Sequence, residues 1–130
     1  MKEVEYMVEI FKTNYKEPFF KRIAPIQQDK IYQIYNEFPE IAARVIIFGS
    51  STTSACNRYS DVDILIIVPD KNSVREKLSE FLLSLDFDID ILFWNIDEVK
   101  DNLNKGSNII KNIMRSGVKI YDRDVIISKA

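Results

Sequence analysis

Val45-Ile46-Ile47-Phe48-Gly49-Ser50, followed after ten residues by Asp61-Val62-Asp63 and then by Ile64-Leu65-Ile66-Ile67-Val68, is the stretch on which the fold turns. The first run is short, β-branched and closed by Gly-Ser, which reads as a buried strand entering a tight turn. The second run is wholly apolar once Asp63 is passed and stops at Pro69-Asp70, so it reads as a strand buried on both faces. Side chains alternate along a strand, which sends Asp61 and Asp63 to the same side, roughly 7 Å apart at the Cα. Two carboxylates therefore stand at the mouth of a buried strand. Between the runs, residues 51–60 are polar and rich in Ser and Thr, and they suit a loop with a short helical turn.

Outward from this centre the apolar period changes to that of helices. Toward the N-terminus, Pro25 can open a helix with Ile31, Ile34, Tyr35 and Phe38 inward, ending at Pro39. Val4, Met7, Val8, Phe11 and Tyr15 predict an earlier helix, so residues 1–24 read as an N-terminal helical extension of a single 1–130 domain whose core is 25–124. Toward the C-terminus, a helix capped by Asn72 or Ser73 presents Val74, Leu78, Phe81, Leu82 and Leu85. Asp86–Trp94 follows as a strand, and Asp97 is placed to cap a short helix. Gly106-Ser107 opens a last helix with Ile109, Ile110, Ile113 and Met114 inward; Gly117 ends it, and 118–121 closes as a strand. Strands alternating with helices predict an α/β fold with a small mixed sheet of about four strands.

Composition narrows the chemistry. The 130 residues include no histidine and one cysteine, Cys56, which excludes His-based triads, His-ligated zinc and an internal disulfide framework. A reducing, cytoplasmic setting is expected, with no signal peptide and no apolar run long enough for a bilayer. Charge is unevenly spread: residues 61–101 carry eleven acids against four bases, and residues 102–130 carry six bases against two acids. This is not the broad basic face of a duplex-DNA binder.

The acids form a pattern. Asp86, Asp88 and Asp90 alternate with Phe87, Ile89, Ile91 and Phe93, and Asp90-Ile91-Leu92 repeats the form of Asp63-Ile64-Leu65. If the two strands are neighbours, three carboxylates converge. Such a cluster resists joint ionisation unless a cation offsets it, and all-oxygen ligands suit Mg²⁺ or Mn²⁺. Gly49-Ser50 beside them, with Ser51 beginning a turn, suits a phosphate.

The pattern hydrophobic-Phe-Gly-Ser-x10-Asp-x-Asp, from Val45 to Asp63, resembles the minimal nucleotidyltransferases of the DNA polymerase β superfamily. The apolar-Asp-apolar-apolar segment Ile89-Asp90-Ile91-Leu92 resembles the strand carrying that family's third acid, with Asp88 as the reserve choice. The close from Met114 to Tyr121 is also similar to the family's usual ending. The resemblance spans residues 25–124 and implies a polymerase β palm-like nucleotidyltransferase fold. It implies transfer of a nucleoside monophosphate, with ATP the default donor, to a hydroxyl acceptor with release of pyrophosphate. Asp61, Asp63 and Asp90 become the catalytic and metal-holding acids; Gly49, Ser50, Ser51 and Ser60 become the nucleotide-binding residues. Many members carry a basic residue where this chain has Ser51, so Arg58 or a basic residue of the tail is expected to substitute. The acceptor is left open. It can be a small hydroxylated molecule bound with the help of a homodimer, or a partner protein. Some members are antitoxins that act on a HEPN-family toxin by adenylylation or by binding alone.

Overall fold

From Ala43 onward the chain alternates its apolar side chains between two sides, and the computed structural model, which describes residues 23–52 and 61–125, shows where each side goes. Four strands form one mixed sheet in the order β3-β2-β1-β4: β1 (Ala43–Phe48), β2 (Val62–Val68), β3 (Ile89–Asn95) and β4 (Val118–Arg123). β1 runs antiparallel to both β2 and β4, and β2 runs parallel to β3. Four helices flank them: α1 (Gln28–Glu37), α2 (Lys71–Ser84), α3 (Ile96–Lys105) and α4 (Asn108–Ser116).

The period of two divides the core. Val45 and Ile47 of β1, with Val62, Ile64, Ile66 and Val68 of β2, pack with Ile31 and Ile34 of α1 and Val74, Leu78 and Phe81 of α2. Ile46 and Phe48, with Leu65, Ile67 and Trp94, pack on the opposite face with Val99 and Leu103 of α3 and Ile110 and Ile113 of α4. β1 and most of β2 are buried on both faces, which is why Val45–Phe48 and Ile64–Val68 are wholly apolar, while Arg44 in β1 is buried in an ion pair with Asp122. Counting by twos back from Leu65 and Leu92, Asp63 and Asp90 lie on the α3/α4 face, at the end of the rows that become its core.

Several boundaries differ from the sequence reading, each for a local reason. β3 begins at Ile89, not Asp86. Its first rung is Val62–Ile89, and extending the register by one would set Asp88 directly against Asp61, a like-charge pair. The cap of α2 is Asp70 rather than Asn72 or Ser73; its Oδ1 accepts from Asn72 N at 3.0 Å. The cap of α3 is Asn95 rather than Asp97, in a reciprocal capping box with Glu98. Tyr35 and Ile109, expected inward, are exposed, because the helix faces centre on Ile31/Ile34 and Ile110/Ile113. The predicted helix before Lys16 lies outside the described residues. No helix among the described residues is long and apolar enough to cross a membrane.

Candidate active site

β1 ends at Phe48, and the chain turns at once through a short 3-10 segment, Gly49–Thr52. Gly49 takes φ +74°, a left-handed conformation that glycine adopts at no steric cost. A second constraint acts on the same residue. A Cβ placed there would stand 2.5 Å from Asp63 Oδ2 and 3.3 Å from Asp63 Cγ. Only a residue without a side chain lets the backbone lie against that carboxylate.

Asp63 is held opposite Phe48 on one side and opposite Asp90 on the other, so one rung of the sheet carries both acids. Its carboxyl is half-buried and titrates above its ordinary value of 3.8. Burial is the largest cause; the charges of Asp90 and then Asp61 follow, and a hydrogen bond shared with Asp90 adds to them. The charge of Asp90 on the adjacent strand thus opposes ionisation of Asp63. Asp61 is exposed and lies just before the first residue of β2, so it acts on Asp63 by charge. Among the described residues no three carboxylates close into a ready metal cluster. The expected convergence therefore holds for Asp63 and Asp90 in contact, with Asp61 at their margin. Asp88 precedes the paired strand and shares no rung with β2.

The turn itself faces a cavity of about 580 Å³ lined by Gly49, Ser50, Thr52, Asn112, Arg115, Ser116 and Val118. Ser51, expected to contact nucleotide, is fully buried: its carbonyl accepts from Ala24 N at 2.7 Å, and its side chain is turned away from the cavity. The 3-10 turn brings Thr52 round in its place, with Oγ1 donating to Gly49 O at 2.8 Å. Ser60 lies outside the described residues. Another wall belongs to the end of α4, read from the sequence as a core helix within the basic tail that was expected, with Arg58, to replace the cation missing at Ser51; Arg58 lies outside the described residues. Gly49 N donates to Ser116 Oγ at 3.4 Å, and that hydroxyl donates to Asn112 O at 3.0 Å. Asn112, Arg115 and Ser116 are spaced three and four apart, so the helical period that hides Ile110 and Ile113 turns these three toward the turn. That polar stripe was the available signal.

The donor set fits a hard divalent cation. Asp63 and Asp90 offer only oxygen, sit side by side, and resist joint ionisation in a way that a bound cation would relieve.

The chain is similar to several solved structures at low identity. A toxin-antitoxin crystal structure with AMP-PNP is 19% identical, covering 75% of this chain and 74% of that one at a TM-score of 0.40. A mutant of the toxin-antitoxin MntA-HpeT is 18% identical over the same shares, with a TM-score of 0.39. A putative nucleotidyltransferase from Sulfolobus solfataricus is 16% identical, covering 98% of this chain and 94% of that one at a TM-score of 0.41. No curated protein matches the sequence. The family model described as Polymerase beta, Nucleotidyltransferase matches residues 29–126, which takes in all four strands and all four α-helices except the first residue of α1. By that match, the chain belongs to the polymerase beta nucleotidyltransferase family.

Proposed function

We propose that this protein transfers a nucleoside monophosphate, AMP from ATP, to a hydroxyl acceptor and releases pyrophosphate. The observation that carries the reading is the contact between Gly49 and Asp63: one backbone turn lies against an acid of the pair and also lines the cavity. A triphosphate seated on Gly49 and Ser50 would have its phosphates between a carboxylate pair and a polar helix end.

Asp61, Asp63 and Asp90 would hold Mg²⁺ or Mn²⁺. When bound, such ions neutralise the triphosphate and stabilise the attacking and leaving oxygens of the displacement. The chain's own residues supply position. Gly49 allows the backbone to approach the phosphates, and Ser50 and Thr52 line their path. Asp90 is the more exposed acid of the rung, open to an incoming acceptor, and is placed to take the acceptor's proton. Asp63, half-buried against Gly49, is fixed in orientation and serves as a ligand rather than a base. The alcohol oxygen forms its bond to the α-phosphorus as the bond to the bridging oxygen breaks, and the proton leaves through the base. The test is whether label from the α-phosphate of ATP becomes covalently attached to an acceptor, and whether Asp61→Ala/Asp63→Ala stops it.

A further inference from the structure

One wall of the cavity is still without a task. Among the described residues lining it, Arg115 is the single cation, and it shares the cavity with the Gly49-Ser50 turn. We infer that Arg115 binds the β- and γ-phosphates of the nucleotide, an assignment that rests on the nucleotidyltransferase reading.

Charge gives the first argument. A triphosphate brought to Gly49 approaches Asp63 and Asp90, so the cavity side needs positive charge, and nothing in the segment 49–52 provides it. Arg115 lies in the last turn of α4, where the negative end of the helix dipole favours a guanidinium. Its placement there leaves it exposed to the cavity rather than spent in an ion pair. Arg115 is exposed and forms no ion pair among the described residues, which is also true of several surface cations; what sets it apart is its place in the lining of the cavity.

Geometry gives the second. An Nη of Arg115 donates to Asn112 Oδ1 on the neighbouring turn, which leaves four of its five N–H groups for a ligand. With Oδ1 occupied in this way, the donor left on the Asn112 side chain is its amide NH₂. A planar fork suits paired phosphate oxygens better than a lysine ammonium does. The distance from this fork to the turn is set by hydrogen bonds: Gly49 N to Ser116 Oγ, and Ser116 Oγ to Asn112 O. The same three residues therefore tie the helix end to the turn and present the cation to it.

The experiment is calorimetric titration of the full chain, in Mg²⁺, with α,β-methylene-ATP, AMP and inorganic tripolyphosphate. Arg115→Ala should weaken the triphosphate analogue and tripolyphosphate by about tenfold to a hundredfold, and AMP by less than about twofold. Arg115→Lys should lie between. Thermal melting of both variants checks folding, and Arg115→Gln serves if the alanine variant is unfolded. Equal binding of the analogue by wild type and Arg115→Ala overturns the inference alone, as does an equal loss for the analogue and AMP. If wild type binds no triphosphate with metal, the nucleotidyltransferase reading falls and takes the inference with it.

Discussion

Replacing Gly49 by alanine tests the packing on which the site depends. Two separate costs follow from the structure. An alanine at φ +74° meets the left-handed penalty, about 1–2 kcal/mol. Its methyl group would also sit 2.5 Å from Asp63 Oδ2, an overlap of the kind that costs about 1–3 kcal/mol when neighbours must shift. Together these predict a loss of about 2–5 kcal/mol, with Tm falling by about 3–5 °C per kcal/mol for a chain of this size. The two contributions separate in a double-mutant cycle. With Asp63→Ala already in place the carboxylate is gone, the overlap vanishes, and Gly49→Ala should cost only the backbone penalty of about 1–2 kcal/mol. Urea unfolding of the four proteins in metal-free buffer reads both values. If Gly49→Ala costs the same in both backgrounds, the turn does not lie against Asp63, and the geometric basis of the site is wrong.

Other expectations concern the acids. Because the Asp63 carboxyl titrates above 3.8, the folded protein holds that proton more tightly than the unfolded chain does. Its contribution to stability is full below 3.8 and is lost as pH rises through the raised value. Urea unfolding without divalent ions should therefore show wild type losing stability relative to Asp63→Asn as pH rises above about 4; the opposite slope would mean the carboxylate is stabilised by a partner instead. Asp90→Asn should lower label transfer by about a hundredfold or more, since Asp90 shares the rung with Asp63 and is assigned the acceptor's proton. Asp88→Asn should leave transfer nearly unchanged, and the reverse order would move the third acid to Asp88.

The strands were legible because their burial is written in the residues themselves. Val45–Phe48 and Ile64–Val68 are apolar without interruption, as a strand covered on both faces requires. The pairing of Asp63 with Asp90 was legible from the repeated acid-apolar-apolar form, once the two strands were taken as neighbours. Three features were not. The start of β3 depends on where β2 begins to pair, a fact of another segment, so Asp86 and Asp88 looked like strand residues from their alternation alone. The inward turn of Ser51 depends on the backbone contact with Ala24, which no local pattern records. The cavity wall of Asn112, Arg115 and Ser116 depends on α4 packing its Ile110 and Ile113 against Ile46 and Phe48, which swings the helix end beside Gly49. Helix caps failed for a simpler reason: Asp70 and Asn95 compete with equally good capping residues two or three positions later.

Transfer of the α-phosphate is the claim on which the account stands, and label is its most direct measure. The purified protein is incubated with Mg²⁺, ATP labelled at the α-phosphorus, and a cell lysate or a candidate HEPN-family partner as acceptor. The account predicts metal-dependent, covalent attachment of α-label to an acceptor, one pyrophosphate released for each label transferred, and no transfer by Asp61→Ala/Asp63→Ala. Label arriving instead from the γ-phosphate would contradict it. So would a double variant that protects against a partner as fully as wild type while neither protein transfers label, since contact alone would then be the function.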